Sequence, residues 1–442
     1  MQNYAIISVS MNQVTHLSRI TRVHFIGIGG IGMSALARFM QHEKKVVSGS
    51  DRALTPITKA LAAEGIQIFG EQVAANITSD TECVVYTEAM APDHEEMAVA
   101  RALGVPMMNY FEALGQMVNP YYLIAVAGTH GKTTTTAMLI DVFEAAGKDP
   151  TGVVGSLRTS THSNYRPGKS KYAIVEACEY KQDFLSLKPD ALVITNVEHE
   201  HVDYYKDLAA VQASFRTLVS QVNEGGVVVV NTSDPAIAPI VADAPVTVID
   251  YMAYFDVTLP MKQPGVHNRL NAAAVRAAAK HEQLDTAVVQ DALSNFAGTW
   301  RRFEYKGLCN GASVYDDYGH HPTELMATME GARELYPEKR LVVAFEPHTY
   351  SRTAALFEQF ARAFAHADRV LLLPIYAARE ENTWGVTSRE LAVKALEYNP
   401  NVTAVQSLAE AEADLRASVK EGDVVLIMGA GTITQLATDL TR

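Results

Sequence analysis

The sequence predicts three consecutive α/β domains, each built on a mostly parallel sheet. Apolar strands alternate with amphipathic helical patterns along the whole chain, and two of these strands run into glycine-rich loops, at 27–32 and 128–133. Such alternation implies parallel strands with helices covering the faces of a sheet. The length of 442 residues corresponds to about three domains of ordinary size.

Composition narrows the class of protein. The formal net charge of -13 argues against a nucleic-acid-binding protein, which would carry a basic excess. The three cysteines, Cys83, Cys178 and Cys309, form no CxxC pair, which favours a reducing compartment. No apolar run approaches the roughly 20 residues of a membrane span, and the N-terminus lacks the basic region of a signal peptide. We therefore expect a cytoplasmic protein that binds neither nucleic acid nor membrane.

The first predicted domain, 1–119, opens with the strand RVHFI at residue 22 and a glycine-rich loop. Glycines at these positions let a diphosphate approach the N-terminus of the following helix, and an acid about 20 residues later suits a ribose. The residues predicted to bind this ligand are Gly27, Gly29, Gly30, Gly32 and Asp51. The motif predicts a nucleotide or nucleotide-sugar site without deciding between NAD and another diphosphate. The alternative is a turn needed only for helix–sheet packing.

The second predicted domain, 120–301, begins after Asn119-Pro120 with a strand at Tyr122. That strand runs into a shortened phosphate loop, because Val126 stands where the pattern GxxxxGK[ST] has its first glycine. Backbone N–H groups and a lysine would hold phosphates there, and the following threonine would bind Mg²⁺. The predicted nucleotide-binding residues of the loop are Gly128, Thr129, His130, Gly131, Lys132, Thr133 and Thr134.

Acidic residues and histidines follow two further strands of the second domain. Glu176 follows the strand YAIV, and an acidic cluster at 196–203 that includes His199 and His201 follows a strand predicted at 191–197. We expect both strands beside the phosphate-loop strand, so that their carboxyl ends meet near the phosphates. Carboxylate with one imidazole suits Mg²⁺ or Mn²⁺ better than zinc, and the predicted ligands are Thr133, Glu176 and His201. The alternative is an acidic, solvated loop.

The third predicted domain, 302–442, carries polar residues after several of its strands. The turn DDYGHHP at 316–322 gathers acids and histidines, and a helix is predicted through residues 354–366. The candidates for a binding face are His348, Tyr350, Arg352, Tyr376 and Arg379. The alternative is a set of ordinary surface loops. A diphosphate site, a triphosphate site with a metal and a further polar face together suggest an ATP-driven joining reaction.

The chain resembles the Mur ligase family in motifs spread over residues 22 to 431. The matching stretches are HFIGIGGIGMSALA with GSD, GTHGKTTTT, EACEYKQDFL, ITNVEHEHVDYY, PGVHNRLNAAA, GTWRRFE, DDYGHHPTE, EPHTYSRT and MGAG. The resemblance implies a Rossmann-like N-terminal domain, a central ATPase domain of the P-loop type and a Rossmann-like C-terminal domain. The GIGG-type loop is typical of the branch that acts before the ligases adding later amino acids.

The resemblance also implies a reaction, in which ATP activates the lactyl carboxylate of UDP-N-acetylmuramate as an acyl phosphate and L-alanine attacks it. By this resemblance Lys132, Glu176, His201 and Arg302 are catalytic, with Glu176 and His201 holding a second Mg²⁺. Asn268 and Asn271 should face the adenine, and Arg302 should reach the phosphates. The resemblance makes the five candidates of the third domain an alanine pocket. We expect a monomer or a homodimer.

Three positions depart from the family pattern. Arg216 stands where several relatives carry a carbamylated lysine, Thr87-Glu88 stands where two serines are common, and Trp384 has no assigned role. Two alternatives to the alanine ligase remain at this stage. One is a ligase of the same fold that recycles a tripeptide onto UDP-N-acetylmuramate, and the other is a non-catalytic homologue that binds the UDP-sugar.

Overall fold

The computed structural model describes residues 16–88, 90–91, 93–202 and 204–442. The chain forms two compact units, one ending at Pro120 and the other running from Tyr121 to Arg442. One sheet lies in the first unit and two lie in the second, which confirms the three-domain α/β organisation. The boundaries at 119/120 and 301/302 stay predictions. Residues 1–15 and Asp203, which belongs to the acidic cluster, lie outside the described residues.

The first unit is a five-stranded parallel sheet. Its strands are β1 Arg22–Ile26, β2 Val46–Ser50, β3 Gln67–Phe69, β4 Cys83–Tyr86 and β5 Met107–Asn109. Its helices are α1 Ile31–His42, α2 Pro56–Ala63, α3 Glu95–Ala102 and α4 Tyr110–Val118, with 3-10 turns at Leu17–Arg19 and Ala74–Asn76. The strand order is β3-β2-β1-β4-β5. Because the order reverses between β1 and β4, a ligand crevice is expected beyond their carboxyl ends, where the glycine-rich loop begins.

The central sheet of the second unit has seven strands. They are β6 Tyr122–Ala127, β7 Thr151–Arg158, β8 Ser163–Arg166, β9 Tyr172–Glu176, β10 Ala191–Ile194, β11 Val227–Val230 and β12 Thr247–Asp250. The helices are α5 Lys132–Ala145, α6 Leu208–Ser220, α7 Ala238–Val241, α8 Val266–His281 and α9 Thr286–Asn295, with 3-10 segments at Tyr180–Ser186 and Tyr251–Tyr254.

The strand order of this sheet, β12-β11-β10-β6-β9-β7-β8, puts the phosphate-loop strand β6 between β9 and β10. Both pairings are parallel. The prediction that the strands leading to Glu176 and to the acidic cluster flank the phosphate-loop strand is therefore confirmed. All three carboxyl ends open toward the same edge.

The third sheet has six strands. They are β13 Glu304–Cys309, β14 Ala312–Asp317, β15 Leu341–Phe345, β16 Arg369–Leu372, β17 Val402–Ala404 and β18 Val424–Met428, in the order β13-β14-β18-β15-β16-β17. The helices are α10 Pro322–Leu335, α11 Tyr350–Ala355, α12 Phe357–Ala363, α13 Ser388–Ala395, α14 Leu408–Ser418 and α15 Thr434–Leu440. Two buried apolar clusters cover its two faces, one around Phe345 and the other around Ile427.

Two details of this third region bear on the site. The N-cap of α10 is a capping box, in which the His321 side chain accepts a hydrogen bond from the Thr323 N–H and Glu324 accepts one from the His321 N–H. This box orients His321 and Glu324 at one helix start. The prediction of a single helix through residues 354–366 is wrong. The chain instead forms α11, α12 and a 3-10 turn at Phe364–His366, because Leu356 leaves helical geometry at φ -111° and ψ 22°.

None of the helices among the described residues is both long and apolar enough to cross a membrane.

Candidate active site

The glycine-rich loop of the first unit is fixed by Asp51. The Gly29 N–H donates a 2.8 Å hydrogen bond to Asp51 Oδ2, and a Cβ added at Gly29 would lie 2.8 Å from that oxygen. Gly27 has a φ of +82°, and a Cβ there would meet Thr87 Cγ2 at 2.6 Å. The loop, Asp51 and Thr87 therefore pack together at the carboxyl ends of β1, β2 and β4.

The phosphate loop joins β6 to α5 and is built on two glycines in the left-handed region. Gly128 has φ +129° and Gly131 has φ +82°. Side chains at these positions would meet Thr195 Oγ1 at 2.1 Å and Asn271 Oδ1 at 2.4 Å, respectively. Glycine is required at both positions because neither the backbone conformation nor the surrounding space suits a side chain.

Lys132 begins α5, and its ammonium is held inside the loop. Nζ donates to the Gly128 carbonyl at 2.5 Å and to the Thr129 carbonyl at 3.1 Å, and pairs with Glu179 Oε2 at 2.9 Å. Burial disfavours the charged ammonium, but the Glu179 carboxylate outweighs it and raises the pKa of Lys132. The lysine is thus a fixed positive charge at a helix N-terminus, where free N–H groups also favour anions.

Thr133 and Glu176 provide two oxygens close together beside the loop. Thr133 Oγ1 donates to Glu176 Oε2 at 3.1 Å, and the Gly155 N–H donates to Glu176 Oε1 at 2.6 Å. Two oxygens sharing an octahedral Mg²⁺ at about 2.1 Å lie roughly 3 Å apart, so this spacing fits a shared ion. Burial raises the pKa of Glu176, an effect that a bound cation would oppose.

His201 and His199 differ in what their rings contact. The His199 Nε2 atom lies 2.9 Å from the Tyr205 carbonyl oxygen, so the His199 ring forms a hydrogen bond with the nearby backbone. The His201 Nε2 atom lies 3.5 Å from Glu179 Oε1. Burial opposes ionisation of Glu179, but Lys132 and His201 outweigh it and lower its pKa. Glu179 therefore links the phosphate-loop lysine to the histidine that we predicted as a metal ligand.

A cavity of about 290 Å³ opens beside the phosphate loop, between the central and third sheets. Its lining includes His130, Gly131, Asn268, Asn271 and Arg302 from the predicted set. Asn268 and Asn271 are three residues apart at the start of α8, so they lie on the same helix face. The structure thus brings together the loop, the two asparagines and Arg302, which the sequence separates by up to 174 positions, from 128 to 302.

Charged groups from the central and third domains meet in the lining of this cavity. The His130 Nδ1 atom lies 3.1 Å from Glu324 Oε1, and its Nε2 atom lies 3.7 Å from Glu198 Oε2. Burial disfavours the imidazolium, but Glu198 and Glu324 outweigh it and raise the pKa of His130 to about 9. Arg302 Nη1 lies 3.8 Å from the same Glu324 oxygen. Burial opposes ionisation of Glu324, but His320, His130 and Arg302 outweigh it and lower the pKa of Glu324 well below its usual value.

The candidates of the third domain are brought together only in part. The rings of His348 and Tyr376 stack with centroids 5.5 Å apart, and Arg352 Nη1 lies 3.2 Å from His348 Nδ1. Tyr350 begins α11, and Arg379 lies on an exposed turn three residues beyond Tyr376. His348, Arg352 and Tyr376 therefore form a contiguous cluster.

Several residues of the site were not among our predicted ligands. Glu179, Glu198 and Glu200 lay in motifs that we had noted, but periodicity does not show which carboxylate of an acidic run faces inward. His267, Tyr251 and Thr195 line the cavity and carried no sequence signal of their own. Their side chains are of ordinary types, and only the tertiary fold brings them beside the phosphate loop.

The structure also gives the surroundings of the three positions that depart from the family pattern. Arg216 lies exposed on α6, where its Nε donates to the Pro239 carbonyl at 3.3 Å. Thr87 packs against Gly27, with Glu88 following it. Trp384 is 52% exposed on the segment before α13.

Domain models of one family match most of the chain. Residues 22–122 match the Mur ligase family catalytic domain, residues 126–255 match the Mur ligase middle domain, and residues 301–431 match the Mur ligase glutamate ligase domain. The three matches follow one another in the order of the three sheets.

Similar proteins extend the match over nearly the full length. The UDP-N-acetylmuramate–L-alanine ligase of Agathobacter rectalis is 41% identical over an alignment of 455 positions, and the alignment covers 96% of this chain and 98% of that protein. The crystal structure of the UDP-N-acetylmuramate–alanine ligase MurC from Thermotoga maritima is 28% identical, with a TM-score of 0.80 over 95% of this chain and 98% of that chain. A murein peptide ligase from Psychrobacter arcticus, 24% identical with a TM-score of 0.71 over 95% of this chain and 98% of that chain, shares the fold.

Proposed function

The chain belongs to the Mur ligase family, and we propose that it is the ATP-dependent ligase that joins L-alanine to the lactyl carboxylate of UDP-N-acetylmuramate. The observation that carries this proposal is the end-to-end match to a curated ligase of that name at 41% identity. The product is a peptidoglycan precursor, and we assign the enzyme to the cytoplasm.

The reaction has two steps that balance without a redox reagent. A carboxylate oxygen of the lactyl group attacks the γ-phosphorus of ATP, the bond to ADP breaks, and an acyl phosphate forms. The neutral amine of alanine then attacks the acyl carbon, the tetrahedral intermediate collapses, and inorganic phosphate leaves. The ammonium group of alanine loses one proton before the attack and a second proton as the amide forms.

Positive charge is the main requirement of the first step, because a carboxylate and a triphosphate repel each other. Lys132 is fixed at the N-terminus of α5, and Arg302 reaches the cavity from the third sheet. We assign both to the phosphates, with the phosphate-loop N–H groups of residues 128–134. The Lys132 ammonium also pairs with the Glu179 carboxylate at 2.9 Å, so a bound phosphate would compete with that carboxylate for it.

A divalent cation is the second source of positive charge. The Thr133 hydroxyl and the Glu176 carboxylate have the spacing and chemistry of a Mg²⁺ site, and we add His201 to the set. When bound, Mg²⁺ or Mn²⁺ would offset charge on the phosphates and on the lactyl carboxylate. The Glu179 carboxylate, 3.5 Å from His201 Nε2, helps to orient that ring.

The base of the nucleotide belongs in the cavity beside α8. Asn268 and Asn271 supply amide donors and acceptors there, and Asn271 also packs against Gly131 of the phosphate loop. Because the same side chain contacts both parts of the site, adenine and phosphate recognition are coupled.

The alanine pocket is assigned to the cluster around Arg352. A guanidinium matches the alanine carboxylate in a bidentate manner, and the stacked rings of His348 and Tyr376 offer an apolar wall. Tyr350 and Arg379 complete the proposed set. The UDP part of the sugar is assigned to Gly27, Gly29, Gly30, Gly32 and Asp51.

The decisive assay measures phosphate release and the mass of the product with ATP, UDP-N-acetylmuramate and one amino acid at a time. We expect turnover with L-alanine and a product heavier by one alanyl residue. Glycine and L-serine in parallel define the selectivity. Turnover with a tripeptide and none with alanine would identify a recycling ligase, and binding of the UDP-sugar without any turnover would identify a non-catalytic homologue.

A further inference from the structure

We propose that His130, Glu198 and His321 form a binding site for a divalent transition-metal ion of the Zn²⁺ class, separate from the Mg²⁺ ligands. One ligand atom from each residue lies within 4.8 Å of the others. His130 belongs to the phosphate loop, Glu198 follows β10, and His321 is the N-cap of α10. The ion would therefore join the central domain to the third domain.

The donor set and its spacing suit zinc. Two histidines and one glutamate are a frequent zinc set, with a fourth position left for water. Ligand atoms around a tetrahedral Zn²⁺ lie about 3.3 Å apart, given bonds of about 2.0 Å. Glu198 Oε2 lies 3.7 Å from His130 Nε2 and 3.9 Å from His321 Nδ1, so each of these two contacts needs to shorten by about half an ångström. His321 Nδ1 accepts the Thr323 N–H at 3.3 Å in the capping box, and binding of the ion replaces that hydrogen bond.

The surrounding residues orient these donors as they do in metal sites. Glu324 accepts at 3.1 Å from His130 Nδ1, and a carboxylate on the far nitrogen of a ligating histidine is the usual supporting contact. That contact leaves His130 Nε2 to face Glu198, and this buried atom has no hydrogen-bond partner among the described residues. The Thr323 hydroxyl donates to Glu198 Oε2 at 3.1 Å, which holds the third donor in place.

Co²⁺ provides a direct probe, because tetrahedral Co²⁺ has intense visible bands and octahedral Co²⁺ has weak ones. The full chain without a histidine tag is titrated with Co²⁺, without nucleotide and in excess Mg²⁺, and Zn²⁺ is then used to displace the signal. We expect intense bands that Zn²⁺ removes. Weak bands alone, or no saturable signal, would overturn the proposal.

Variants locate the ion. His321→Gln and Glu198→Gln are each expected to weaken Co²⁺ binding at least tenfold, and Glu324→Gln is expected to weaken it about 10–100-fold while keeping the tetrahedral bands. His366→Gln, at an exposed histidine, is the matched control and should change nothing. Loss of the bands in His201→Gln or Cys178→Ser, with His321→Gln unaffected, would assign the ion elsewhere and reject this site.

A fold check keeps these variants informative. Thermal melting without metal should give each variant a single transition, as in the parent chain, and Zn²⁺ should raise the transition temperature of the parent and of His366→Gln but not of His321→Gln. If Zn²⁺ stabilised all variants equally, the proposal that the ion joins the central domain to the third domain through His321 would be contradicted. None of these readouts depends on ligase activity.

Discussion

Arg352 donates two hydrogen bonds to a single carboxylate oxygen of Glu200, from Nε at 3.0 Å and from Nη2 at 2.7 Å. The pair joins the loop after β10 to α11, and both side chains are mostly buried, at 13% and 10% exposure. Burial disfavours ionisation of Glu200, but Arg352, His320 and His321 outweigh it and lower its pKa to about 2. The guanidinium that we assign to the alanine carboxylate is therefore already engaged by a protein carboxylate.

We expect Arg352→Ala to raise the KM for L-alanine about tenfold or more, because one charge-assisted bidentate contact is worth at least about 1.4 kcal/mol. The KM values for ATP and UDP-N-acetylmuramate should change less than about threefold. Arg379→Ala tests the second cation of the pocket, and Arg362→Ala, at an exposed arginine, is the control. Steady-state kinetics with alanine as the varied substrate gives the answer.

Removing Arg352 also leaves Glu200 buried without its partner, which costs roughly 3–5 kcal/mol of stability. The double variant Glu200→Gln, Arg352→Met separates this penalty from substrate binding. If the double variant melts like the parent chain and retains the parent KM for alanine, Arg352 fixes the loop and the substrate carboxylate binds elsewhere. The DDYGHHP turn would then be the next candidate.

Lys132→Ala should reduce turnover at least about a hundredfold, since loss of one preorganised charge on a transferring phosphoryl group costs about 3 kcal/mol. Binding of UDP-N-acetylmuramate, measured by calorimetry, should stay within about threefold of the parent value, because its glycine-rich loop belongs to the first unit. Lys280→Ala, at an exposed lysine of α8, is the control. Phosphate release at the parent rate in Lys132→Ala would remove Lys132 from the mechanism.

His201→Ala should raise the Mg²⁺ concentration needed for half-maximal activity, whereas His199→Ala should leave it nearly unchanged. The reason is that His199 contacts the Tyr205 carbonyl while His201 faces Glu179 beside the phosphate loop. Metal titrations of acyl-phosphate formation in both variants make the comparison. The reverse ranking would exchange the roles of the two histidines.

Sequence reasoning succeeded where one local pattern decides the structure. Apolar runs followed by glycine identified β1 and β6 with their loops, and the strand beginning at Tyr122 is where it was predicted. The strand predicted at 191–197 ends at Ile194, because Thr195 and Asn196 turn their side chains toward the His130 carbonyl of the phosphate loop. That interaction depends on a loop residue 65 positions away in the sequence, and no local pattern reports it.

Contacts between the central and third domains could not be predicted for the same reason. The sequence indicated that His321 lies in the polar turn DDYGHHP and that Arg352 follows a strand, which is a usual position of binding residues, whereas Arg302 was assigned only by the resemblance. It did not indicate that Glu198 and Glu200 contact residues of the third domain. Two acidic residues close together in one loop look the same in a sequence pattern. Only the packing of the two sheets distinguishes them.

The stability of the second unit should fall as pH rises from about 6.5 to about 9, and His130 should account for the fall. Its folded pKa of about 9 exceeds the unfolded value of about 6.5, so its contribution is complete below 6.5 and is lost as pH rises through 9. The contribution is on the order of 3 kcal/mol at most. Urea unfolding of the parent chain and of His130→Gln across this range, with a chelator present, measures it. Parallel pH curves for the two proteins would contradict the assignment.

The close approach of Gly131 and Asn271 allows the phosphate loop to be tested with a matched pair of glycine variants. A Cβ at Gly131, where φ is +82°, would lie 2.4 Å from Asn271 Oδ1, whereas a Cβ at Gly147, where φ is +69°, meets nothing within 4 Å. Alanine at either position carries the left-handed backbone cost of roughly 1–2 kcal/mol, so both variants should lose similar stability from strain. Only Gly131→Ala also displaces Asn271 and the loop.

We therefore expect Gly131→Ala to raise the KM for ATP about tenfold or more and Gly147→Ala to leave it within about twofold, because a displacement of about 1 Å at a preorganised site costs far more than it does elsewhere. Urea unfolding measures the loss of stability that the two variants share through backbone strain. Initial rates with ATP as the varied substrate measure the difference between their KM values for ATP. If the two variants change the KM for ATP equally, the effect comes from backbone strain alone. The contact between the phosphate loop and α8 would then have no part in nucleotide binding.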